Sequence, residues 1–268
     1  MNTPRLTADL AGGVWAMREN EFLAMSAPRA DDITDDPLRI IPPICEMEGG
    51  ILVANISGAL YRGIGPIGRL FGFIDPEDIG GELDDKEPDA DAVLLVMDSP
   101  GGSVSGIADL AAKVRAIDAR KPVFVYASGL CCSAAYWIAS QASAIYASMS
   151  AFTGSIGVFQ AFLDQSRRYD AAGVKVELFK SGPLKAAGMT GTSLSDEQKA
   201  AMQATVDTIF AEFSGAVLSR RRVKPEAMTG GDYYGKTAKP IGLVDSISDL
   251  NTAKADLRKI ADLRRMKG

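Results

Sequence analysis

Short apolar segments that alternate with amphipathic stretches dominate the middle of this chain of 268 residues. Five segments are short and often β-branched, as buried parallel strands are: residues 51–56, 92–97, 122–127, 144–147 and 174–179. Helical periodicity lies between them, at residues 104–120 and 162–172, and Ser195 with Gln198 forms a capping-box pattern that opens a long helix to about Arg222. This alternation predicts an α/β fold with right-handed crossovers and a parallel sheet.

The composition along the chain predicts three regions. Residues 1–45 carry a helical pattern over 10–25 and then a linker rich in proline and aspartate, residues 46–250 hold the alternating pattern, and residues 251–268 form a basic C-terminal helix. The basic tail is either a solvated helix face or a docking surface for a partner. The net charge of −5 gives no argument for nucleic-acid binding.

Neither a membrane span nor an export signal is predicted. No run of 18 apolar residues occurs, and the N-terminus lacks the continuous apolar stretch of a signal peptide and carries acidic residues early. The three cysteines do not resemble a disulfide framework and are typical of small core residues. We therefore expect a soluble cytoplasmic protein without a membrane anchor, a metal or another cofactor.

The chain contains no histidine, yet four motifs between residues 98 and 185 could supply a serine nucleophile and its partners. They are DSPGGS (98–103), CCSAAYW (131–137), TGSIG (153–157) and FKSGPLK (179–185). A serine hydroxyl is a poor nucleophile until an adjacent base takes its proton, and without histidine a Ser-His-Asp triad is impossible. Lysine is the obvious remaining base, so the sequence predicts a Ser–Lys dyad.

Ser133 is the predicted nucleophile. It follows the strand at 122–127 and a glycine turn and opens an apolar helical stretch, where unpaired amides and the helix dipole favour developing negative charge. The amide of Ala134 could join that of Gly101 in an oxyanion hole, in which each donor contributes about 3–4 kcal/mol to the transition state. Taken singly, Ser133 could be a small packing residue, and the SPGG segment an ordinary strand-to-helix turn.

Lys185 is the predicted base, with Lys180 as the competing candidate. A base must be neutral, so its pKa must lie roughly 3 pH units below the usual value of about 10.4, which corresponds to about 4 kcal/mol. Desolvation in an apolar pocket can achieve this, and no carboxylate flanks Lys185 to oppose it. The hydroxyl of Ser155 could orient the amine. A solvated lysine and a turn serine are the alternative interpretations of these two residues.

In this order the four motifs resemble those of the serine peptidases that include bacterial signal peptide peptidase A and the head-maturation proteases of tailed phages. The resemblance extends over residues 51–250 and includes GLVDSI (242–247). It implies four roles: nucleophile for Ser133, general base for Lys185, assistance to the lysine for Ser155, and an oxyanion-hole amide for Gly101.

The resemblance also implies the ClpP/crotonase-like fold, with stacked β-β-α units and outer helices, and a homo-oligomeric ring whose sites are made or completed at subunit contacts. One departure is that Ala134 and Ala135 follow the serine, where cellular signal peptide peptidases usually have two glycines. The methyl group at 134 leaves the backbone amide in place. Because the phage or prophage branch is closer here, the implied substrates are capsid scaffold, portal or other head proteins, in the host cytoplasm or within proheads.

Three alternatives remain open from the sequence. A cellular enzyme of the same family would degrade proteins in the bacterial cytoplasm. A crotonase-type acyl-CoA enzyme would use a positioned carboxylate and would have no need of Ser133 and Lys185. An inactive assembly factor would retain only the ring-forming surface.

Overall fold

The computed structural model describes residues 14–17, as backbone, and residues 41–266. The strands in these ranges are β1 (Val14–Met17), β2 (Cys45–Glu48), β3 (Ile51–Ser57), β4 (Ala59–Leu60), β5 (Phe73–Ile74), β6 (Ala92–Ser99), β7 (Gly101–Ser103), β8 (Val123–Cys132), β9 (Ala144–Ala147), β10 (Phe152–Gly154), β11 (Phe159–Gln160), β12 (Asp232–Tyr234) and β13 (Ser246–Ile247). The α-helices are α1 (Pro76–Lys86), α2 (Ile107–Arg120), α3 (Ala134–Ala139), α4 (Ser166–Ala171), α5 (Asp196–Leu218) and α6 (Leu250–Arg265).

A mostly parallel sheet forms the centre of the molecule, in the strand order β12-β10-β8-β6-β3-β2. Strands β3, β6 and β8 run parallel to one another, and β8 also pairs in parallel with β9 along its first half and with β10 at its end. The outermost strands β2 and β12 run antiparallel to their neighbours. The α/β class and the parallel sheet predicted from the sequence are therefore confirmed, and the stacked arrangement agrees with the ClpP/crotonase-like fold.

Helices cover both faces of this sheet, which explains why its strands are almost continuously apolar. On one face, Leu52, Leu95 and Val125 join a core with side chains of α2 and α3. On the other face, α6 packs Leu257 and neighbouring small residues against alternate residues of β3, β6 and β8. The C-terminal helix thus buries an apolar stripe on the main sheet; the predicted division of the chain at residues 45 and 250 stays a prediction.

A smaller second sheet lies beside the carboxyl ends of the main strands, in the order β11-β1-β7-β4-β5. Its strands are short, and β7 follows β6 directly after Pro100. Gly102 is required by packing here, because an added Cβ atom would lie 2.0 Å from the carbonyl oxygen of Leu60 in β4. The second sheet therefore holds the glycine-rich motif close to the edge of the main sheet.

Most predicted elements are observed, and two are wrong. The predicted strand at 174–179 has no regular secondary structure, because its residues pair with no strand in the described part of the chain and stay largely exposed. The predicted helix at 10–25 is a strand over Val14–Met17, where pairing with β7 and β11 replaces helical hydrogen bonds. The rest of that predicted helix lies outside the described residues.

The cysteine prediction is confirmed, since Cys45, Cys131 and Cys132 are all buried thiols that form no disulfide among the described residues. Burial raises the pKa of the Cys131 thiol well above its ordinary value, so this group is a neutral packing residue. Within the described ranges, no helix combines the length and apolar character needed to cross a bilayer.

Candidate active site

The main sheet brings two of the predicted motifs together where β8 and β10 end side by side. Cys132 of β8 pairs with Gly154 of β10. The next residue, Ser133, donates its amide to the carbonyl of Gly154 over 2.7 Å and its hydroxyl to the carbonyl of Gly157 over 3.4 Å. Since ligands of α/β sheets bind outside the carboxyl ends of the strands, Ser133 occupies the edge at which a site is expected.

The backbone of Ser133 is held in an unusual conformation, with φ 56° and ψ −120°. β8 ends immediately before it and α3 begins immediately after it, so the residue forms a sharp strand-to-helix turn. Positive φ in a non-glycine residue costs about 1–3 kcal/mol and persists where the surrounding structure imposes it. The same kind of turn exposes the serine nucleophile of α/β-hydrolases. In this subunit the Ser133 side chain is buried.

A buried polar contact anchors α3, the helix that follows Ser133. The phenol of Tyr136 donates to the carbonyl of Leu243 over 2.8 Å. Burial raises the pKa of Tyr136, so its hydroxyl remains a neutral donor. Asp245, two residues after Leu243, binds the guanidinium of Arg221 over 2.8 Å and accepts the amide of Ile145 over 2.7 Å. The GLVDSI segment thus holds the helix that follows the predicted nucleophile, a role for which the sequence offered resemblance alone.

The two predicted oxyanion donors lie at the ends of neighbouring strands. Gly101 has φ 97°, a conformation that favours glycine, and its amide points to the hydroxyl of Ser99 over a long 3.3 Å. Ala134 is the first residue of α3, where helix geometry leaves the N–H without an intrahelical partner. Each amide therefore lies at the first residue of the element that follows a main-sheet strand, where it can be presented to a substrate oxygen.

A bulge in β8 precedes Ser133, the predicted nucleophile. The register between β6 and β8 shifts between Met97 and Ser99, and Asp98 fills the gap by accepting the amide of Leu130 over 2.8 Å. Gly129 is needed at this point, because an added Cβ atom would lie 2.4 Å from a carboxylate oxygen of Asp98. No role for Asp98 was predicted from the sequence, although the pair Ser128-Gly129 opposite it is a bulge signal.

Ser155 also has a positive φ, 52°, and it follows β10 directly. Its amide donates to the carbonyl of Gly231 over 2.7 Å. A cavity of about 460 Å³ opens beside it and continues along the TGSIG segment to residues of α5 and the 3₁₀ turn before β12. Its lining includes Val206, Phe210 and Met228. The cavity is therefore continuous with the turn whose Gly157 carbonyl contacts the Ser133 hydroxyl.

Lys185 is not assembled with these residues in the subunit. It is exposed in a segment without regular structure, and its own amide closes a turn onto the carbonyl of Gly182 over 3.2 Å. Within the described residues, no hydrogen bond joins its amine to Ser133 or Ser155. The competing Lys180 is exposed as well, and its amine donates to the carbonyl of Pro183 over 3.1 Å.

Backbone strain nevertheless marks the lysine segment together with the two serines. Within residues 41–266, the non-glycine residues with clearly positive φ are Ser133, Ser155 and Ala186, the last directly after Lys185. Residues of this kind cluster at functional sites. No group of three potential metal ligands occurs in the part of the chain that the structure describes.

Two curated relatives bear on the identity of the chain. It is 32% identical over 256 residues to Protease 4 of Salmonella typhi, which covers 93% of this chain and 39% of the relative. It is 30% identical over 231 residues to Capsid assembly protease C of Escherichia phage lambda, which covers 82% of this chain and 51% of the relative. The chain thus spans between about two fifths and half of the length of these two proteins.

Among solved structures, an enoyl-CoA hydratase of Mycobacterium marinum aligns with a TM-score of 0.44 and 13% identity, over 82% of this chain and 85% of that chain. A similarity this low carries no argument about activity. The profile of Peptidase family S49, by contrast, matches residues 115–264, which is more than half of the chain and includes the segments of Ser133, Ser155 and Lys185. The chain belongs to Peptidase family S49.

Proposed function

We propose that this protein is a serine endopeptidase that uses Ser133 as its nucleophile and Lys185 as its general base. The observation that carries the proposal is the strained turn at Ser133, which lies between the SPGG and TGSIG segments at the carboxyl edge of the main sheet. A packing serine would not require φ 56° at a strand-to-helix junction. Membership of Peptidase family S49 supports peptide-bond hydrolysis as the reaction.

The proposed reaction begins when neutral Lys185 takes the proton of Ser133 and the serine oxygen attacks the scissile carbonyl. The amides of Gly101 and Ala134 then stabilise the oxyanion, for which the Gly101 amide exchanges its long contact with Ser99 for the substrate oxygen. The protonated lysine gives its proton to the leaving amine. A water molecule, deprotonated by the same lysine, hydrolyses the acyl-enzyme. Ser155 would orient the amine.

We further propose that a neighbouring subunit supplies Lys185 to each Ser133 in a homo-oligomeric ring. Exposure of the lysine segment in the single chain supports this, because a lysine base needs a desolvated site and Lys185 is exposed here. The segment also exposes apolar side chains that a subunit contact would cover: Val174, Phe179, Leu184 and Met189. The side chain of Phe179 is 96% exposed. Burial of these groups at a contact would provide the desolvated surroundings that a neutral lysine needs.

Capsid scaffold, portal or other head proteins of a phage or prophage are the proposed substrates, in the host cytoplasm or within proheads. The similarity to Capsid assembly protease C supports this choice, as do Ala134 and Ala135 in the nucleophile motif. The similarity to Protease 4 supports the alternative, a cellular enzyme that degrades proteins in the bacterial cytoplasm. Incubation with purified head proteins, followed by mass spectrometry of the fragments, separates the two.

Hydrolysis of a fluorogenic peptide tests the catalytic assignment. Ser133→Ala and Lys185→Ala should each lower kcat/KM by a factor of about 10⁴ or more, as loss of a nucleophile or its base does in other serine hydrolases. Lys180→Ala is the matched control and should retain activity. A serine-reactive phosphonate should label the wild-type protein and leave Ser133→Ala unlabelled. Full activity of Ser133→Ala or Lys185→Ala, with an unchanged melting temperature, would reject the assignment.

A further inference from the structure

Strand β1 lies between two segments of the candidate active site. Its backbone pairs antiparallel with β7 on one side, with Met17 opposite Gly101 and Trp15 opposite Ser103. On the other side it pairs antiparallel with β11, with Trp15 opposite Phe159. The N-terminal segment is therefore the middle strand between two other strands.

Both flanking strands continue the predicted catalytic motifs. β7 begins at Gly101, the predicted oxyanion donor, and β11 comes directly after the TGSIG segment and Val158. Gly157, at the end of that segment, accepts the hydroxyl of Ser133. A strand held between β7 and β11 therefore runs past the entrance to the nucleophile.

The other edge of β7 is closed to a peptide. Leu60 of β4 pairs there with Gly102, so closely that a Cβ atom on the glycine would lie 2.0 Å from the Leu60 carbonyl oxygen. A peptide that uses the backbone of β7 for recognition must therefore bind on the edge that β1 occupies. Main-chain pairing of this kind is a common way to bind extended peptides.

We propose that residues 14–17 occupy the place of a bound substrate and that the cleft between β7 and β11 binds extended peptides as an added antiparallel strand. The inference rests on the proposed peptidase function and identifies the chain's own N-terminal segment as a ligand of the same site. In this register the residue opposite Gly101, here Met17, is the one closest to the predicted oxyanion donor. Other substrates must displace the segment before they bind.

Tethering makes this competition strong, because an attached ligand has an effective concentration in the millimolar range. Ala16→Pro tests it in the full-length chain, since proline removes a backbone donor and disfavours a central strand. We expect kcat/KM for a fluorogenic peptide to rise about tenfold or more. Ala24→Pro, elsewhere in the N-terminal region, is the control and should leave kcat/KM unchanged.

A structural role for β1 makes the opposite prediction. If the strand serves only to complete the second sheet, Ala16→Pro lowers the melting temperature and does not raise kcat/KM, which would overturn the inference. The double variant Val14→Gly with Ala16→Gly weakens the strand without removing a donor. It should raise kcat/KM by a smaller factor than Ala16→Pro does. An unchanged kcat/KM in this folded variant would overturn the inference even if the proline variant fails to fold.

A binding measurement separates this inference from the proposed function. A fluorescein-labelled peptide with the sequence of residues 12–20 is titrated against proteins that carry Ser133→Ala, with anisotropy as the readout. The peptide should bind the protein that also carries Ala16→Pro. Its affinity for the protein that also carries Ala24→Pro should be at least tenfold lower. Equal affinities, or no binding to either, would overturn the inference. If the peptide binds as expected but the protein with an intact Ser133 hydrolyses no peptide, only the proposed function is contradicted.

Discussion

Single residues at the candidate site adopt backbone conformations that their side chains disfavour. Ser133, Ser155 and Ala186 all have φ between 52° and 62°, in three segments that are far apart in the sequence. The rest of the fold must offset this strain, and for Ser133 the buried helix α3 with its Tyr136 anchor does so. Composition and periodicity carry no signal for such strain, which is why the sequence predicted the position of Ser133 and not its conformation.

A comparison of Ser133→Gly with Ser133→Ala should separate the effect of backbone strain on stability from the effect of losing the hydroxyl group. Ser133→Gly and Ser133→Ala both remove the hydroxyl, but only glycine tolerates φ 56°, so we expect the glycine variant to be more stable by about 1 kcal/mol. Urea denaturation gives the free energy of unfolding of both. Ser140 has an ordinary φ of −61°, and there the glycine variant should be less stable than the alanine variant. The same order at both positions would contradict the strain argument.

Whole elements were predictable where their burial is contained within one subunit. β3, β6, β8 and β9 were identified because each is short and apolar; helices of the same chain cover both faces of β3, β6 and β8, whereas one face of β9 is only partly buried. Residues 174–179 are also short and apolar at most positions, but among residues 41–266 no strand pairs with them. Strand propensity describes fit to a partially buried sheet, and a single sequence does not reveal whether that sheet exists.

Substitutions in α6 test whether packing of the basic C-terminal helix contributes to the stability of the domain. Leu257 of α6 is fully buried against the main sheet, so Leu257→Ala should destabilise the protein by about 2–5 kcal/mol. Leu263 on the same helix is 52% exposed, and Leu263→Ala should have little effect. Thermal unfolding of both variants provides the comparison. A small effect of Leu257→Ala would mean that the helix is an appendage, as the predicted boundary at residue 250 suggests.

Helix α1 should make stability depend on pH in the acid range. Burial alone would raise the pKa of Glu82, but hydrogen bonds from Lys86 and from the amides of Ile44 and Cys45 outweigh it and lower the pKa. A carboxyl group whose pKa is lowered by folding stabilises the protein above its unfolded pKa of about 4.3, and this contribution is lost as the pH falls through the folded value.

Glu82→Gln should therefore reduce the loss of stability between pH 6 and about pH 3.5, by up to about 1 kcal/mol, because the Glu82 side chain is 25% exposed and solvent partly screens its charge. Urea denaturation of wild type and variant at several pH values gives the difference. Added salt should diminish it, since screening weakens the ion pair with Lys86. A wild-type protein that loses no more stability in acid than the variant would contradict the assignment.

At the scale of the whole molecule, the fold brings the segments of the predicted site residues, except that of Lys185, to one edge of the main sheet. Parallel strands end at a common edge, so Gly101, Ser133 and Ser155 meet there once the strand order is fixed. Lys185 belongs to the segment between β11 and α5, whose apolar side chains remain exposed. We propose above that a neighbouring subunit covers that segment, and sequence patterns within one chain do not predict such a contact.

Complementation between two inactive variants tests whether the lysine comes from a neighbour. Ser133→Ala and Lys185→Ala subunits are co-expressed and purified as mixed oligomers. If each site combines the serine of one subunit with the lysine of the next, about a quarter of the sites in an equal random mixture hold both groups, and the mixture regains about a quarter of wild-type activity. Oligomers of Ser133→Ala with the double variant contain no intact site and should stay inactive. If the mixture of the two single variants is inactive while the wild-type oligomer is active, each subunit must close its own lysine segment onto Ser133. The exposed apolar side chains of residues 174–189 would then need a different partner.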